Sequence, residues 1–87
     1  MDNNDRVVQE FDMRRIIKAT RVPLICVYKN PTDYPNKYVA RLWGVDTPTT
    51  LVAVADSLEE IRAAKPPQMV IMQRQPNDDP VIVETWI

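Results

Sequence analysis

The sequence predicts an α+β domain: a mainly antiparallel sheet of four or five strands with two helices packed against it, in the order α-β-β-β-α-β-β. Three observations lead there. Short β-rich runs recur along the chain, as LICVY at 24–28, KYVARLWGV at 37–45, TLVAVA at 50–55, MVIM at 69–72 and VIVETWI at 81–87. Between the third and fourth runs, Ser57 stands three residues before Glu60, the spacing of a capping box at a helix start. Between the last two runs, PNDD at 76–79 is a turn-sized connection that favours an antiparallel hairpin.

The 87 residues are read as one domain, 1–87, with residues 1–6 as a loose polar lead-in. Asp12 is placed to cap a helix whose apolar stripe is Met13, Ile16, Ile17 and Thr20, and Phe11 precedes the cap where it can staple onto Ile16. Val7 and Val8 fall off that stripe. Either the helix starts near Asp5 and is buried on two sides, or 7–11 is extended; the reading adopted is one helix over about 5–19. After Pro23, the continuous apolar run 24–28 suits a strand covered on both faces. Asn30-Pro31 and Tyr34-Pro35 form the turn. Residues 37–45 then alternate, with Tyr38, Ala40 and Leu42 on one side and Val39, Arg41, Trp43 and Val45 on the other. Asp46–Thr49 turns the chain into the strand at 50–55. A two-turn helix from Ser57 to about Lys65 ends at Pro66-Pro67, and strands at 69–75 and 81–87 close the chain. If strands 50–55 and 69–75 pair directly, the helix between them makes the pair parallel.

Composition narrows the chemistry. The chain has no histidine, which removes Ser-His-Asp and Cys-His catalysis and an ordinary zinc site. One glycine, Gly44, leaves neither a phosphate-cradling loop nor a dinucleotide fingerprint. No catalytic residue, cofactor or metal is therefore assigned, and the chain is read as a non-enzyme. Asp78-Asp79, with Asp46 or Glu84 nearby, offer oxygens of the kind that hold a divalent cation, but adjacent acids in a β-turn are more often solvated turn formers. Cys26, the single cysteine, lies within an apolar strand and is read as a buried, inert thiol. With one cysteine, no span-length apolar run and an acidic start, the compartment expected is the cytoplasm, without a membrane partner.

Net charge is −1, made of +3 over residues 1–43 and −4 over 44–87. Separate faces for the two halves would make a dipole; interleaved halves would pair their charges. Arg14, Arg15, Lys18 and Arg21 cluster near the first helix, where cations suit the C-terminal dipole.

The densest mixture of aromatic, turn and basic residues is 28–43. Tyr28, Lys29, Tyr34, Lys37, Tyr38, Arg41 and Trp43 are the candidate partner-binding residues, because Tyr, Trp and Arg dominate protein-binding hot spots. The function expected is a small protein-binding module that uses this hairpin and an exposed sheet edge, self-association into a homodimer included. The alternative is single-stranded nucleic-acid binding through the same tyrosines and basic residues; near-neutral charge favours protein. The final strand carries large apolar groups on both faces up to Trp86 and Ile87. It must be covered by the core or sit beside another copy.

Overall fold

The β-rich runs assemble into a single six-stranded mixed sheet, ordered β1-β4-β3-β2-β6-β5, in a computed structural model that describes residues 4–87. The elements in chain order are β1 Arg6–Val7, α1 Met13–Ala19, β2 Leu24–Lys29, β3 Tyr38–Trp43, β4 Pro48–Ala55, α2 Leu58–Arg62, β5 Ile71–Gln73 and β6 Ile82–Trp86. Every neighbouring pair is antiparallel except β1 with β4. The α+β class and the β5–β6 hairpin are as expected. The strand number and the element order are not: six strands stand where four or five were expected, and the added β1 pairs parallel with β4.

One correction is at the N-terminal end. Residues 6–7 are a strand rather than the first turn of a long helix: Arg6 pairs with Leu51 and Val7 with Val52. The helix begins only after Asp12, whose carboxylate accepts the backbone N–H of Arg14 at 3.0 Å. Val7 and Val8 lie off the helical stripe, and as extended residues they add backbone bonds to β4 instead, Val8 N–H donating to Val52 at 2.8 Å. Part of the expected loose lead-in is likewise held, since Asp5 binds Arg41 and Arg6 is in β1; residues 1–3 lie outside the described residues.

The placement of β5 leaves the condition for a parallel β4–β5 pair unmet. Strands β4 and β5 do not pair; β3, β2 and β6 stand between them. The helix between them therefore carries the chain over the sheet to its far edge, where β5 turns back through 74–81 and β6 inserts between β5 and β2. This insertion places the final strand inside the sheet. Trp86 is fully buried and belongs to the core, β6 is not an edge strand, and Ile87 beyond it is 52% exposed.

Both helices lie on one face. Ile16 of α1 and Ile61 of α2 join Phe11, Ile25, Val27, Ala40, Leu42, Ala53, Ala64, Met69 and Trp86 in one apolar cluster. The Phe11 ring meets Trp86 edge-on, with centroids 6.4 Å apart, a favoured aromatic geometry. Ser57 caps α2 as its spacing implies, accepting the Glu60 N–H at 3.1 Å while its hydroxyl donates to the Glu60 carboxylate at 3.1 Å. Among the described residues, one ionisable side chain is buried in this core: Glu84, held by Arg62 of α2 at 2.6 Å and by the Trp86 indole N–H at 2.8 Å.

Strand order mixes the two halves only in part: β4 of the acidic half lies between β1 and β3 of the basic half, while β6 and β5 of the acidic half stand together at the other edge.

Candidate functional site: the uncovered sheet face

Alternation along each strand divides the sheet residues between two faces. The regular β2–β3 ladder pairs Leu24 with Trp43, Cys26 with Arg41 and Tyr28 with Val39. None of these six belongs to the cluster under the helices, so they mark the opposite face. Register extends that face across the sheet through Thr85 to Met72 on one side and through Val52 to Val7 on the other. No helix covers it.

One end of this face is roofed by the 30–37 loop. Asn30 and Asn36 take positive φ, 54° and 66°, a conformation asparagine tolerates better than most residues. The Asn30 side chain accepts the Asn36 N–H at 2.7 Å, and Asn30 N–H donates to Lys37 at 2.7 Å, closing the loop. The closed loop aims Asp33 and Tyr34 at Arg41. Arg41 donates to both oxygens of Asp5 at 2.7 and 2.8 Å, to the Thr49 carbonyl at 2.7 Å and to Asp33 at 3.3 Å. The Tyr34 hydroxyl donates to Asp5 at 2.9 Å. These contacts strap the N-terminal segment, β3 and the loop together, and Val39 and Val52 are buried at that end. Arg41's hydrogen bonds, aided by Tyr34 and opposed by burial, hold the Asp5 carboxyl below its usual range; Asp5 in turn raises Arg41.

The other end is open. Tyr28 and Trp43 are four residues out of step on neighbouring strands and lean together, the indole N–H donating to the phenol oxygen at 3.0 Å. Cys26 lies between them in register. It is free and buried, as expected, and burial pushes its thiol up, against the pull of hydrogen bonds with Thr85 and Tyr28. Burial and the neighbouring thiol also raise the Tyr28 phenol. Around this pair are Leu24, half-buried, and the exposed Met72, Ile87 and Val70. Ile87 and Val70 belong here because they are bonded to each other one step beyond Trp86 and Ile71, which face the core.

The candidate residues therefore separate. Tyr28, Arg41 and Trp43 share the uncovered face, and Tyr34 roofs it. Tyr38 does not belong to the site: it packs against the core on the opposite side. Lys29 is opposite Tyr38 in the ladder, so it too leaves the face. Lys37 is tied to Asp56 in an ion pair. The residues missed by sequence reasoning are Leu24, Val70, Met72 and Ile87, drawn from three strands that only the fold brings side by side. Asp5 was missed as well, because its partner is 36 residues away.

The acids of the 76–79 turn bond the backbone around them. Asp78 accepts the Gln75 N–H at 2.8 Å and Asp79 accepts the Val81 N–H at 3.1 Å. Glu84 is engaged by Arg62, and no cluster of metal-ligating side chains occurs among the described residues. Among them also, no helix is long and apolar enough to cross a membrane. Comparison with known proteins finds no matching family model, no matching curated protein and no matching solved structure. The reading of this face accordingly rests on its own geometry.

Proposed function

We propose that this chain is a protein-binding module whose docking surface is the open end of the uncovered sheet face. The observation that carries the reading is the layer count. All helical cover lies on one side of the sheet, while the other side presents Leu24, Tyr28, Trp43, Val70, Met72 and Ile87 as one apolar surface. Such a surface is stabilised when another surface excludes water from it. Tyr28 and Trp43 offer broad aromatic area that their mutual hydrogen bond already orders, so little side-chain freedom remains to be lost on docking. The roof over 30–37 bounds the surface on one side with polar groups, as a rim does.

Binding of single-stranded nucleic acid needs cations beside the aromatics. Arg41 is neutralised by Asp5 and Asp33, Lys37 by Asp56, and Lys29 belongs to the other face. Protein is thus the better match for this face, and no catalytic step is part of the reading.

The experiment is capture from a lysate of the source cell, with and without nuclease, by wild type and by a folded W43A/I87K double variant. A protein retained by wild type under nuclease and lost with the variant supports the reading. Equal retention by both proteins overturns it, and capture abolished by nuclease transfers the function to nucleic acid.

A further inference from the structure

The β5 edge of the sheet has a property that docking on the face does not use. Val70 and Ile87 exchange both backbone hydrogen bonds, at 2.7 and 2.9 Å. Bonded pairs alternate along an antiparallel ladder. Met72 with Thr85 is therefore the next bonded pair, and the N–H and C=O groups of Ile71 and Gln73 point away from β6. Among the described residues, no bond outside the β5–β6 ladder reaches Ile71 or Gln73. Edge strands are ordinarily protected by charge, proline or a bulge. The segment 69–73 reads MVIMQ, without a charge, a proline or a bulge in its pairing; Pro67 and Pro76 only bound its length. Val70 is 61% and Met72 42% exposed.

We propose that β5 is a self-pairing edge, joining two copies of this chain antiparallel about a two-fold axis at Met72 and fusing their sheets into one. A second copy is the occupant because this register is self-complementary. Ile71 falls opposite the partner's Gln73, and Gln73 opposite the partner's Ile71, so the outward groups of both residues are satisfied on both chains. Met72 meets the partner's Met72 across the axis in the close, non-bonded position, about 4.5 Å between Cα atoms. Arg74, the nearest charge along the strand, falls opposite the partner's Val70, so no like charges oppose each other. The exposed Val70, Met72 and Ile87 of each copy then form one apolar surface across the seam. The contact is isologous and closes at two copies. A seam this short buries less than about 1,200 Å² in total, in the range of weak association.

This inference goes beyond the docking reading: it stands on the outward backbone groups of β5, and although Val70, Met72 and Ile87 belong to both surfaces, Trp43 lies on β3 away from the seam, so W43A leaves the pairing untouched. Sedimentation equilibrium of the full chain from about 10 µM to about 1 mM is the test. Wild type is expected to approach twice the monomer mass at the upper end. M72K and M72E, each with wild-type circular dichroism, are expected to stay monomeric because like charges meet on the axis. Their equimolar mixture is expected to recover the dimer. Q73P, which removes an outward donor and no ladder bond, is expected to weaken association at least tenfold. A wild type that stays monomeric throughout overturns the proposal, as does a dimer indifferent to M72K or Q73P, or an M72K/M72E mixture that stays monomeric.

Discussion

Among the described residues, replacing Asp5 with alanine removes three hydrogen bonds at once, two from Arg41 and one from Tyr34. The ion pair is well shielded, the side chains being 7% and 15% exposed. Removing one partner of such a pair costs roughly 3–5 kcal/mol, because the other charge stays desolvated. Arg41 keeps the Thr49 carbonyl at 2.7 Å and Asp33 at 3.3 Å, so the lower end applies, about 3 kcal/mol. Against a total stability of roughly 5–15 kcal/mol that is a large share, equivalent to about 12–24 °C in Tm at roughly 4–8 °C per kcal/mol. Urea unfolding of wild type and D5A, followed by tryptophan fluorescence, measures the loss. R41M and the D5A/R41M double variant complete a cycle in which the double variant costs less than the sum of the singles. A D5A loss below about 1 kcal/mol, the size of an ordinary neutral hydrogen bond, would refute the strap as the device holding β1 and the 30–37 loop.

Acid unfolding should follow from the two shielded carboxylates. For Glu84, burial pushes the pKa up but the Arg62 and Trp86 hydrogen bonds outweigh it, so its folded pKa is lowered, as is that of Asp5. Their stabilisation is complete above the unfolded values, about 4, and is lost as pH falls through the lower folded values. Urea midpoints of wild type should drop in that acid window more steeply than those of E84Q; parallel profiles would contradict the assignment. S57A should lower stability by about 1 kcal/mol, and identical urea midpoints would remove the capping claim. Cys26 in folded protein should react with a thiol reagent far more slowly than in urea, and equal rates would show that Tyr28 and Trp43 do not close over it.

Local signals proved the most legible. Asp12 and Ser57 cap their helices because a cap is decided within three or four residues, and the β5–β6 hairpin follows from a short polar turn between apolar runs. Strand β1 was not legible: two residues carry little periodicity, and their extended state comes from β4, 45 residues along the chain. The 28–43 stretch contains the end of β2, the roofing loop and β3. Its grouping into one surface overlooked the alternation that already separated Tyr38 from Arg41 and Trp43. Which of the two sides would be left bare depended on both helices choosing the same face. That choice is made by Ile16 and Ile61 joining the core cluster and by the Phe11 ring meeting Trp86, contributions from distant parts of the chain.

The two tryptophans give the most direct test that the uncovered face is the docking surface. Trp43 lies on that face, its indole N–H on Tyr28, while the Trp86 indole is buried on Glu84 beneath the helices. Indole resonances of ¹⁵N-labelled protein can be followed as nuclease-treated, unlabelled source-cell lysate is added. The account predicts that the Trp43 indole and the Leu24 and Tyr28 amides shift or fade first, with Trp86 keeping its position. A perturbation that spares Trp43 while other surface residues respond would contradict it.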